Sequence, residues 1–237
     1  MHRFYVDTPL AACIDLTLDK IQSHQIEHVL RLKPGEALRV FNQGGEFEAV
    51  IAAIDRHQVR VALQSPLAIA LPGAVAITLF VAMIKPAKMD WLVQKATELG
   101  VREIVPLKTK RSQVEHFNHE RFGKIAQEAT EQCERLDIPS LCAIVSLPDA
   151  LSKFKGLKLV ACERHGQNPL PDIFAKRPEM PAQIGLFIGP EGGWTEDEIV
   201  LSSQCGAQRV GLGKRILRTE TACLTLLALV QHYVGEI

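Results

Sequence analysis

The stretch "LGKRILRTETACLTLLALVQHYV" (212–234) sets three cations and a carboxylate immediately before an apolar run. Lys214, Arg215 and Arg218 precede Glu220, and Gly211 and Gly213 flank Leu212 at the end of an expected strand. Between Ile199 and Thr219 there is no acidic residue, whereas Arg209, Lys214, Arg215 and Arg218 are all basic. The run "TACLTLLALV" reads as a helix. Thr219 or Thr221 suits its cap, and Glu220 suits its positive end. Arg218 does not, because the dipole at a helix start repels a cation. A cation held there points to an anionic partner or a paired carboxylate; a solvated basic loop is the plain alternative.

Two further segments carry residues suited to binding. In "LFIGPEGGWTEDEI" (186–199), Gly189, Gly192 and Gly193 surround Pro190 and Glu191. Glycines permit positive φ and close backbone approach, so amides can face a ligand. Thr195 and Glu198 fit a capping box that starts a helix directly after the loop. Neither G-x-G-x-x-G nor a Walker loop is present, which disfavours dinucleotides and nucleoside triphosphates. In "LVACERHG" (159–166), Glu163, Arg164 and His165 follow a buried strand. Lys85, Lys88, Lys108, Lys110 and Arg111 also stand after strands, and phosphate contacts need such clustering. No G-x-S-x-G elbow occurs. His116 and His119 are three apart without an acidic or cysteine partner nearby, so no metal is assigned.

These loops need a scaffold, and the hydrophobic pattern supplies one. From Val75 onward, apolar strands alternate with amphipathic helices: "VAITLFVAMI", then "PAKMDWLVQKATELG", "EIVPLKT", "HERFGKIAQEATEQCER", and the strands "LCAIVSL", "LKLVACE", "QIGLFIG" and "QRVGLG". That alternation predicts an α/β domain with a mainly parallel sheet, whose ligands bind beyond the carboxyl ends of strands. Met89, Leu92, Val93, Ala96 and Leu99 form the buried face of the first helix, with Pro86 at its start and Gly100 at its end. The stretch before it reads differently. "RFYV", "ALRVFN", "EFEAVIAAID" and "QVRVALQ" are strands, and "SHQIEHVLRL" is a helix with Ile26, Val29 and Leu30 on one face. The expected division is a small β module over 1–70 and an α/β domain over 74–237, with Ser65 to Gly73 as linker.

Composition sets outer limits. With 237 residues, 27 basic against 27 acidic side chains and 47% hydrophobic residues, the chain can build a substantial core but cannot coat nucleic acid by net charge. Its six cysteines (Cys13, Cys133, Cys142, Cys162, Cys205, Cys223) are scattered without a C-x-x-C pair, as expected of reduced thiols in a cytoplasmic protein. No charged-then-apolar signal opens the chain, and the run Thr221 to Val234 is too short for a membrane span.

The segments "RFYV", "HVLRLKPGE", "KMDWLVQKATELGV", "EATEQCERLDIP", "LFIGPEGGWTEDEI" and "LGKRILRTETA" occur in this order over essentially the whole chain. Together they resemble the ribosomal RNA small subunit methyltransferase E family, within the SPOUT class. The resemblance implies an N-terminal PUA-like RNA-binding β-barrel and a parallel-sheet α/β domain with a deep C-terminal trefoil knot. It implies S-adenosylmethionine as cofactor, a homodimer, and methylation of N3 of one uridine, standard position 1498, in 16S rRNA, with the 30S ribosomal subunit as partner. It assigns Gly189, Pro190, Glu191, Gly192, Leu212, Gly213, Ile216 and Leu217 to the cofactor, with Glu163 as a looser match. Arg218 and Glu220 are the expected catalytic pair, and Arg3, Arg31, Lys108, Lys110, Arg111 and Arg215 the expected RNA contacts. Three other readings are a SPOUT ribose 2′-O-methyltransferase acting on tRNA, a non-catalytic RNA-binding adaptor, and a NAD-linked dehydrogenase, the last disfavoured by the missing fingerprint.

Overall fold

The computed structural model describes residues 1–12, 14–67, 73–112, 116–163, 168–177 and 179–237. The expected linker lies largely outside these, as do Arg164 and His165. The chain divides into two compact units: Met1–Pro72 with Thr130–Ile138, and Gly73–Ala129 with Pro139–Ile237.

The first unit is built on a five-stranded sheet, β1 (Arg3–Tyr5), β2 (Asp15–Thr17), β3 (Ala37–Asn42), β4 (Gly45–Asp55) and β5 (Gln58–Pro66), in the order β1-β3-β4-β5-β2. Among the described residues the edge strands β1 and β2 do not pair with each other, so the expected barrel is an open sheet. β5 shows the reason for its register. Val59, Val61 and Leu63 alternate with exposed Gln58, Arg60 and Gln64, and so all three reach one core with Phe4, Leu38, Val40 and Ile51. The helix α1 (Lys20–His24) starts at Asp19, whose carboxylate accepts from the Gln22 amide at 2.7 Å. It runs on into a π-helical turn, Gln25–Val29. The wider turn rotates the face expected from an α-helix: Ile26 is fully buried, but Val29 is 66% exposed rather than in the core.

Thr130–Ile138 belongs with this unit, not with the second as the sequence pattern suggested. Arg3 supplies the reason. It is 6% exposed, and its guanidinium meets the Glu46 carboxylate at 2.8 Å. It also donates to the carbonyls of Thr130, Glu131 and Arg135 and lies 4.1 Å from the Phe41 ring centroid. The Glu131 carboxylate accepts from the Tyr5 amide at 3.0 Å. Arg3 is therefore a structural cation and not the phosphate contact expected of it.

The second unit carries a wholly parallel seven-stranded sheet: β6 (Ala76–Ala82), β7 (Glu103–Lys108), β8 (Ser140–Leu141), β9 (Val145–Ser146), β10 (Leu157–Ala161), β11 (Gln183–Ile188) and β12 (Gln208–Val210). The order is β12-β10-β11-β6-β7-β8, with β9 also on β7. The single strand expected over 141–147 is thus two short ones, and Ser146 turns the chain by capping the next helix. Helices α2 (Pro86–Glu98), α3 (His119–Gln132), α4 (Leu147–Lys153), α5 (Leu170–Ala175), α6 (Glu196–Gln204) and α7 (Thr219–Val234) accompany the sheet. Phe80 of β6 and Phe187 of β11 stack with centroids 4.3 Å apart. Gly185 is required beside them, since a Cβ there would stand 2.8 Å from the Phe154 ring. α7 packs on α2, β6 and β11, although it follows the edge strand β12. Gln231 of α7 fixes that return by donating to the Leu99 carbonyl, the C-cap of α2, at 2.7 Å.

Replacing Arg3 by Met leaves the largely buried Glu46 with Arg39, 3.6 Å away, as its one cation among the described residues, and takes one donor from each of three carbonyls. Urea unfolding should show a loss of about 3 kcal/mol. The salt dependence of RNA binding should keep its slope, because no phosphate contact is removed.

Candidate active site

The carboxyl ends of β10, β11 and β12 and the start of α7 enclose a cleft of about 670 Å³. That volume is in the range of sites for small organic ligands. Its floor is the loop after β11. Thr195 caps α6 with a complete capping box, its hydroxyl taking the Glu198 amide while the Glu198 carboxylate takes the Thr195 amide at 2.8 Å. The other Glu198 oxygen accepts from the Lys110 amide, also at 2.8 Å, so the segments after β7 and β11 share one buried carboxylate.

Three side chains lock the glycines of this floor. The Trp194 indole N–H donates to the Ala161 carbonyl at 2.9 Å, and its ring stands 3.0 Å from where a Cβ on Gly189 would sit. Arg111 donates to the Gly192 carbonyl at 2.6 Å, and its methylene carbons cover the same glycine. Thr219 donates to the Gly189 carbonyl at 3.1 Å. Backbone groups are thereby held at fixed positions facing the cleft, which a glycine loop alone does not ensure.

The opposite wall is the loop between β12 and α7. Gly213 has φ +98°, a conformation open to glycine and strained for other residues. Leu212 and Leu217 are half-buried, and Ile216 is 64% exposed at the rim, an apolar side chain placed where a ligand would cover it. Cys162 also lines the cleft. Burial chiefly, with the Glu163 charge adding and Arg209 opposing, pushes its thiol up to about 11. It is neutral at physiological pH and unsuited to act as a nucleophile.

All nine residues expected at a cofactor line this one cleft: Glu163, Gly189, Pro190, Glu191, Gly192, Leu212, Gly213, Ile216 and Leu217. Arg111, Arg215 and Arg218 join them. Arg218 is exposed and is itself the N-cap of α7, without a side-chain capping bond. The expected threonine cap is therefore absent, because Thr219 turns its hydroxyl to Gly189 instead. Glu220 stands behind the cleft. Its Oε1 is 3.5 Å from Lys88 Nζ, while Oε2 is buried without a hydrogen-bond partner among the described residues. Lys88 also meets Glu191 at 2.8 Å, and this hydrogen bond first, then the two carboxylate charges, raise the lysine's pKa. Lys88 thus joins the glycine loop to the start of α7, a role its sequence position gave no sign of. Lys108 ends β7 and Lys110 follows it; both are exposed and outside the cleft lining, and Arg31 is exposed in the first unit.

The RNA methyltransferase domain family model matches residues 72–231, and the RNA methyltransferase PUA domain model matches 25–64. The ribosomal RNA small subunit methyltransferase E of Rickettsia conorii is 37% identical over 97% of this chain and 95% of its own. The chain belongs to the ribosomal RNA small subunit methyltransferase E family. The Synechocystis family member is 34% identical, over 90% of this chain and 71% of its own. Among solved structures, the Neisseria gonorrhoeae member of the family bound to S-adenosyl methionine superposes with a TM-score of 0.89 at 31% identity, covering 98% of this chain and 97% of that one. A Legionella pneumophila methyltransferase in complex with the cofactor SAM gives the same TM-score at 34% identity, over 97% and 96% of the two chains. The fold these neighbours share is an α/β methyltransferase domain with a PUA-like module before it.

Proposed function

We propose that this chain is an S-adenosylmethionine-dependent RNA methyltransferase that modifies N3 of one uridine, position 1498 of 16S rRNA, in the 30S subunit. The observation that carries the reading is the convergence of the "GPEGG" and "LGKRILR" loops on one cleft in a member of this family. The cleft suits the cofactor chemically. Leu212, Ile216 and Leu217 offer apolar surface for a flat base, and residues 189–193 and Gly213 offer backbone groups for polar edges. Glu163 and Glu191 supply carboxylates at the same cleft. When bound, the cofactor supplies an electrophilic methyl group.

The uridine N3 must lose its proton before or during transfer. Arg218 is too basic to take it. Its guanidinium stands exposed at the cleft, where it stabilises negative charge on the uracil and orients the carbonyl oxygens. The N-terminal field of α7 acts in the same direction. Thr219, bonded to the Gly189 carbonyl, and Glu220, paired with Lys88, anchor the first turn of α7, of which Arg218 is the N-cap. Arg215 at the cleft, with Lys108, Lys110 and Arg31, offers charge to RNA phosphates. Arg111 also lines the cleft, with its guanidinium on the Gly192 carbonyl. A ribosomal substrate places the work in the cytoplasm; no helix among the described residues is long and apolar enough to cross a membrane.

The reading includes a C-terminal trefoil knot, supported by the return of the chain from edge strand β12 to a helix packed on β6 and β11. A homodimer fits α7, where Thr225, Ala228 and Leu229 share one side at helical spacing, none of them buried, and Leu229 is 39% exposed.

Two variants test the reading. Arg218→Ala should lower methyl transfer to undermethylated 30S subunits by at least about a hundredfold, and mass spectrometry should map the wild-type product to N3 of a uridine. Wild-type rates in the variant, or a ribose product, would refute it. Leu229→Glu should sediment as a monomer; an unchanged dimer would remove α7 from the interface.

A further inference from the structure

The first unit holds a cluster of donor atoms that methyl transfer does not use. The π-helical turn carries Glu27 and His28, and the turn joining β4 to β5 carries His57. Glu27 Oε2 stands 3.0 Å from His57 Nδ1 and 3.5 Å from His28 Nε2. One ligand atom from each residue lies within 4.8 Å of the other two. Ligands bound at about 2.0–2.2 Å around a tetrahedral ion stand roughly 3.3 Å apart. The two separations to Glu27 are therefore close to the spacing that one ion would impose, and the two imidazole nitrogens lie within 4.8 Å of each other. His24 adds support from the preceding turn, with its ring centroid 4.7 Å from that of His28.

The backbone on both sides is suited to presenting these groups. Arg56 and His57 both have positive φ, 46° and 63°. A two-residue hairpin turn of this kind favours Asn-Gly, so an imidazole there occupies a position with cheaper alternatives. Asp55 and Gln58 pair directly across the turn, which fixes His57 relative to the sheet. His28 and His57 are exposed and Glu27 is half-buried, so an ion from solvent reaches all three.

We propose that Glu27, His28 and His57 form a binding site for a zinc-class divalent ion, with water completing its shell. Two imidazoles and one carboxylate suit Zn²⁺, Co²⁺, Ni²⁺ or Cu²⁺ better than Mg²⁺ or Ca²⁺. The ion clips the β4–β5 turn to a helical segment 30 residues away in sequence.

The test uses the full chain, stripped with a chelator, desalted, and titrated with ZnCl₂ by calorimetry. One equivalent should bind with a dissociation constant tighter than about 100 μM. Glu27→Gln and His57→Asn should each weaken binding by at least about tenfold. Asn tolerates the left-handed turn, so His57→Asn removes the ligand and keeps the fold. His119→Asn, in the other unit, should titrate as wild type. Absence of saturable zinc binding, or unchanged affinity in His57→Asn, would overturn the proposal.

Discussion

Thr219 opens a helix that follows the edge strand of the sheet, yet its hydroxyl donates to Gly189 near the sheet centre. The rest of the site depends on that 3.1 Å hydrogen bond and the path it implies. For α7 to begin beneath the glycine loop, the segment after β12 must cross back over the ends of β10 and β11. The crossing segment then becomes a wall of the cleft whose floor is the glycine loop. A glycine-rich loop and a loop carrying apolar and basic side chains are thereby brought together as one surface. Trp194, Arg111 and Thr219 supply the rigidity by donating to carbonyls in and beside the glycine loop.

The same geometry sorts the cations. Lys88 is taken up by Glu191 and Glu220, and Arg111 by the Gly192 carbonyl. Arg215 and Arg218 stay exposed at the cleft. A chain with equal numbers of acidic and basic side chains can thus concentrate positive potential at one cleft, without a basic surface overall. The position of Arg218 as the N-cap is electrostatically poor for the helix alone. It becomes favourable when negative charge arrives, because the helix end and the guanidinium then act together.

How much of this is legible in the sequence depends on the range of the interaction. Local signals are legible: the Thr195–Glu198 capping box, Pro86 at a helix start, the alternation in β5 and the parallel α/β pattern. The loops that form the cleft stand out because glycine clusters and a misplaced arginine break local rules. Long-range partners are not legible. Nothing near Arg3 in sequence announces Glu46 or the carbonyls of Thr130, Glu131 and Arg135, so an exposed phosphate contact is the natural but incorrect expectation. Thr219 looks like a cap because its true acceptor lies thirty residues away. The π-helical turn defeats a 3.6-residue period at Val29, and the His57 pairing with Glu27 has no spacing signature at all.

We propose that the two loops form the cofactor site through their backbone. Calorimetric titration of the purified chain with S-adenosylmethionine, alongside Gly213→Val, tests it most directly. The wild type should bind one equivalent. The variant, forced from φ +98°, should bind at least about tenfold more weakly while its sheet unfolds at the same urea concentration. No binding by the wild type, or equal affinity in the variant, would contradict the account.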